Sequence, residues 1–156
     1  MTETLQNLHT EIRACTVCER SEKPLPHKAR PVVTGSGKAR IRLIGQAPGT
    51  RVHTSGIPFD DPSGERLRDW MGVDRALFYN EDFLAITPMG FCFPGLDAKG
   101  GDLPPRKECA PLWQDKLTPL MPHVELTLLV GGYAQKRYLG KSMQKNSSVL
   151  MTLRKC

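Results

Sequence analysis

The chain has 156 residues, with 22 Lys and Arg against 16 Asp and Glu, and a formal net charge of +6 at pH 7. That length suffices for one domain with a sizeable core, and 39% hydrophobic with 24% charged residues excludes a disordered tail. No apolar run approaches the ~20 residues a membrane-spanning helix needs, so no membrane partner is expected. The opening MTETLQNLHTEIRA lacks the pattern of a secretory signal, so a cytoplasmic location is expected. Thiols stay reduced there, so five cysteines point to metal or chemistry more than to disulfides.

Leu5, Leu8 and Ile12 form one apolar stripe of a short helix over residues 2–14. Residues 22–38 are rich in Pro, Gly and basic side chains and read as an exposed loop. Ile41 to Ile44 predicts a strand ending at Gly45, and the GQAPG turn opens a polar loop up to Pro62. Asp61 and Pro62 then start a helix, with Leu67, Trp70 and Met71 as its buried face and Gly72 as its stop. Phe83 to Thr87 predicts a second strand, and the Pro/Gly-rich residues 88–106 a long structured loop. A helix follows from Cys109 to about Leu120, carrying Leu112, Trp113 and Leu117. Leu126 to Val130 is continuously apolar, as in a buried parallel strand, and a Gly-Gly turn leads into a last helix through Leu139. Strands alternating with helices predict an α/β fold with a central, mostly parallel sheet. Ligands in such folds sit at the carboxyl ends of the strands.

Cys15 and Cys18 form a C-x-x-C pair, and Cys92 and Cys109 lie far along the chain in or beside a Gly/Pro loop. Inert core cysteines are the bland reading. Four thiolates at uneven spacing suit a 4Fe–4S cluster better than zinc, which prefers two knuckle-like pairs. GSGK at 35–38 is no phosphate loop, because Val32 stands where its first Gly belongs and Ala39 follows the lysine. Phe59 sits in the polar stretch SGIPFDD, either plugging the core or stacking on a planar ligand. Asp61 is read as a helix cap, with no partner evident for it or Asp60, and His123 as part of the turn before a strand. Arg20, Lys23, Lys28, Arg30, Lys38, Arg40 and Arg42 are either a solvated face or a phosphate footprint.

In order and spacing these motifs resemble the uracil-DNA glycosylase superfamily, in particular its iron–sulfur-containing branch. That branch has a G-E-A-P-G first motif, matched by Gly45, Gln46, Ala47, Pro48 and Gly49. An aromatic that stacks on the flipped base matches Phe59, and four cluster ligands match Cys15, Cys18, Cys92 and Cys109. The resemblance implies a three-layer sandwich over residues 1–140, a 4Fe–4S cluster (zinc the alternative), and a monomer that binds uracil-containing or damaged DNA. It further implies hydrolysis of the N-glycosidic bond of a flipped uracil or related base. The alternative is a metal-stabilised nucleic-acid-binding module without catalysis. There are three departures. Gln46 replaces the acidic residue and can orient a water without taking its proton. Pro88 stands where an asparagine would read the base edge. No histidine follows Leu139, and residues 141–156 read as an atypical or truncated tail. Together they predict weak or no glycosylase activity, even with DNA bound.

Overall fold

The computed structural model describes residues 4–139. Helix α1 spans Leu5–Arg13, capped by the Thr4 side chain accepting from Asn7 N–H, and buries Leu5, Leu8, His9 and Ile12. Strand β1 (Ile41–Ile44) leads into the short α2 (Thr50–Ser55), then α3 (Pro62–Met71) and the single turn α4 (Arg75–Phe78). Strand β2 (Leu84–Ile86), α5 (Cys109–Leu117), β3 (Leu126–Leu129) and α6 (Gly132–Tyr138) complete the order. Among the described residues no helix is long and apolar enough to cross a membrane.

The three strands form one parallel sheet in the order β2-β1-β3, with Ile41 opposite both Leu84 and Leu126. Side chains alternate across it. Leu43, Leu84 and Ile86 pack with Leu67 of α3 and Phe78 of α4 on one face. Ala85 packs with Leu5, Leu8 and Ile12 of α1 and Trp113 and Leu117 of α5 on the other. Ile44 and Leu129 join that side through Ala110 and Ala134 of α6. The expected α/β fold is therefore present, with helices on both faces of a parallel sheet.

Several local expectations shift. Helix α2 interrupts the expected polar loop; with Val52 as its one buried residue it has no apolar stripe to read. In α3 the inward stripe is Gly64, Leu67, Arg68 and half-buried Met71, at helical spacing, which leaves Trp70 43% exposed. Helix α5 ends at Leu117 and continues as a 3-10 turn over Thr118–Leu120, with Leu112 on its outer side. Among the described residues strand β3 occupies a sheet edge, where Leu126 is 51% exposed and only Leu129 of the strand is buried.

Two buried cations shape the interior. Arg42 of β1, 4% exposed, donates to Thr87 Oγ1 at 2.9 Å, to Thr118 Oγ1 at 2.8 Å and to Gln114 Oε1. Gln114 Nε2 in turn donates to the carbonyls of Thr87 and Pro88, at 3.1 and 2.8 Å. Arg68 donates to the Phe59 carbonyl and lies over the ring of Phe78. Each polar contact offsets part of the desolvation that burial of a guanidinium costs.

His9 is 1% exposed, and burial, reinforced by the charge of Arg13, lowers its pKa to about 4. Between pH 6.5 and 4 the unfolded chain takes up a proton there that the folded chain refuses. Stability therefore rises with pH through this window and is lost on acidification. Urea titrations at pH 7 and pH 4 should show about 3 kcal/mol lost through this residue, and His9→Leu should flatten that part of the pH dependence.

Candidate functional site

The carboxyl ends of all three strands open into one cavity of about 270 Å³. Gly45, Gln46, Ala47, Pro48 and Gly49 line it from β1, Pro88 from β2, and Val130 and Gly131 from β3. The loop after β1 is fixed by the loop after β2, because Met89 and Gly90 N–H donate to the carbonyls of Gly45 and Gln46, each at 2.9 Å. Gln46, Asp61, Ser63 and Asp102 bring polar side chains to the walls.

Phe59 also lines this cavity, and it reaches the core as well, since its ring meets Phe78 edge-on at 6.0 Å. Its φ of +56° makes it the non-glycine residue with positive φ among those described, a conformation that side chains disfavour by about 1–3 kcal/mol. Three neighbours hold it there. Arg68 Nη1 donates to its carbonyl at 3.1 Å. Gly45 gives clearance to the ring, because a Cβ at that position would meet Phe59 Cζ at 3.2 Å. Gly64 gives clearance to the backbone, because a Cβ there would overlap the Phe59 carbonyl oxygen. Asp61 caps α3 by accepting from Gly64 N–H at 2.8 Å and from Ser63 Oγ at 2.6 Å. Asp60 pairs with Arg75 at 3.2 Å on the surface, a partner fifteen residues away that the sequence did not reveal.

The four cysteines at 15, 18, 92 and 109 line a second cavity, beside Ile12, Phe91 and Trp113. Burial pushes the Cys92 and Cys109 thiols up to about 12, helped by the neighbouring thiols, although the Arg30 and Phe91 amides donate to the two sulfurs. Unaided, these thiols stay protonated; a bound cation would draw the protons off. Among the described residues no three His, Cys, Asp or Glu side chains converge on a point that could hold one metal ion.

His27 and His53 come together unannounced by spacing, their ring centroids 4.2 Å apart and His27 stacked on Phe93 at 5.3 Å. Burial lowers the His53 pKa, with His27 and Arg30 adding to the effect. Arg30 and His53 thus lie near one another, one residue from Val52 of the cavity wall. Of the basic residues expected to form a footprint, Arg42 is withdrawn into the core and Arg40 is paired with Glu125 at 2.6 Å. His123 does lie in the turn before β3.

The sequence model of the Uracil DNA glycosylase superfamily matches residues 32–154. The chain belongs to the uracil-DNA glycosylase superfamily. Membership carries a DNA glycosylase-like role and DNA as the binding partner. The matched segment holds the 45–49 loop, Phe59, Cys92 and Cys109, begins after Cys15 and Cys18, and runs past residue 140. The expected tail over 141–156, with its missing histidine, lies outside the described residues.

In this superfamily member the Phe59 conformation depends on a hydrogen atom at position 64. Gly64→Ala should cost about 3 kcal/mol in urea denaturation. The same change should weaken DNA binding, measured by fluorescence anisotropy under conditions where the variant is still folded.

Proposed function

We propose that this protein is a DNA N-glycosylase that takes an extruded uracil or related base into the 270 Å³ cavity and hydrolyses its glycosidic bond. One observation carries this reading: the whole 45–49 loop and the ring of Phe59 line a single cavity, sized for one planar base, at the carboxyl ends of the strands. Phe59 stacks on the base, a contact worth about 1–3 kcal/mol. The 45–49 loop brings its backbone close to the sugar and base, and Gln46 orients the attacking water as donor and acceptor. Pro88 carries no side-chain donor or acceptor, so it cannot read the base edge. This relaxes selection among bases of similar shape. Arg30 and its exposed basic neighbours grip the phosphates, and that grip weakens as salt rises.

Cys15, Cys18, Cys92 and Cys109 are proposed to hold a 4Fe–4S cluster. Four thiols from three separate segments line one cavity, and thiolate is the donor such a cluster takes. When bound, the cluster ties the N-terminal segment to both ends of the 92–109 loop. Anaerobically purified protein should be brown with broad visible absorption, and Cys92→Ser should abolish it. A colourless product containing zinc overturns the cluster.

A uracil-containing oligonucleotide incubated with the full chain under single-turnover conditions should release free uracil, slowly. Salt-sensitive binding without release of any base would instead identify the non-catalytic module, the reading favoured by Gln46 and Pro88 taken alone.

A further inference from the structure

A hydrolytic site that has an amide in place of its expected carboxylate still has to dispose of a proton. A water attacking C1′ of the sugar becomes a good nucleophile only as its proton leaves, and Gln46 has no basic atom for it. The cavity offers two carboxylates, Asp61 and Asp102. Asp61 is committed: its Oδ1 already accepts from Gly64 N–H and Ser63 Oγ as the cap of α3. Asp102 differs. Its side chain has no hydrogen bond or ion pair among the described residues, and a Cβ placed on Gly49 would touch its Oδ2 at 3.5 Å. The carboxylate therefore lies against the last residue of the loop that carries Gln46, with lone pairs uncommitted.

Its position is built, not incidental. Asp102 pairs across from Leu96 in a small antiparallel bridge. Leu103 N–H donates to the Gly95 carbonyl at 2.9 Å, and Asp97 N–H to that of Gly101 at 2.7 Å. The Asp97 carboxylate ties the tip by accepting from Lys99 and Gly101 N–H, at 2.8 and 2.9 Å. A stitched hairpin of this kind holds the backbone of Asp102 at one place on the cavity wall.

We infer that Asp102 is the general base of this site, supplying from the 92–109 loop the carboxylate that the 45–49 loop lacks. The inference rests on the N-glycosylase reading. In the step, the water oxygen bonds to C1′ while the C1′–N bond breaks, and its electron pair leaves with the base as an anion. The water's proton passes to the Asp102 carboxylate, and the departing base takes one from solvent, so one water is consumed for each free base and abasic site. Gln46 orients the water that Asp102 deprotonates.

The test measures single-turnover uracil release by the full chain and its variants across pH. Asp102→Asn should lower the rate about 10²–10⁴-fold, the usual worth of a positioned base. It should also remove the acid limb of the pH profile, while leaving the melting temperature and binding to uracil-containing DNA unchanged. Gln46→Glu placed in the Asp102→Asn background should restore at least tenfold, because a carboxylate returns to the other side of the same water. An Asp102→Asn protein within threefold of wild type, an unchanged acid limb, or no restoration by Gln46→Glu each overturns the assignment while the glycosylase reading stands. A wild-type chain that releases no base overturns both.

Discussion

The arrangement at the carboxyl ends of the strands depends on how a guanidinium in the middle of the sheet is satisfied. Arg42 sits on the central strand, buried, with its charge compensated by hydroxyls and an amide and, among the described residues, no carboxylate bonded to it. Gln114 is held between that guanidinium and Tyr138 Oη on one side and the Thr87 and Pro88 carbonyls on the other. The network therefore locks α5 and α6 to the end of β2. From there Met89 and Gly90 reach the Gly45 and Gln46 carbonyls, so the cavity floor inherits its geometry from the core. Buried polar networks in which every member finds a partner specify one arrangement, because any displacement strands a polar group in a medium of low dielectric constant.

The two cavities share a single stretch of chain. Cys92 and Cys109 bracket the loop that carries Asp102, and the same loop meets the N-terminal segment through the other two cysteines. The packing around the four thiols thus sets the frame on which one wall of the cavity at the strand ends is built. Reading the cysteines as purely structural and the cavity as purely chemical separates two things the backbone joins.

The sequence told the α/β order, the parallel sheet, the cap at Asp61, the stop at Gly72 and the loop after β1, because each rests on local periodicity or turn chemistry. It also grouped residues 45–49 with Phe59 through their order along the chain. It missed α2 and α4, which are too short to show an apolar stripe. Trp70 was placed inward on its apolar character, whereas the helical period turns Arg68 inward and pairs its charge with a carbonyl and two aromatic rings. Leu126 looked buried because five apolar or β-branched residues in a row do not reveal whether a strand lies at the centre or the edge of its sheet. Asp102 and the His27–His53 pair carry no local signal; only the folded loops bring them to their neighbours.

The backbone at Phe59 also bears on how this sequence can change over generations. The carbonyl at 59 occupies the space where any side chain at 64 would begin, so the two positions are inherited as a unit. Drift at 64 is closed in every direction while the chain passes through that conformation at 59. Position 59 has more freedom, since the clearance at 64 serves the backbone and would accept another ring there. A descendant could therefore carry another ring at 59 on the cavity wall while the glycine five residues later stays fixed.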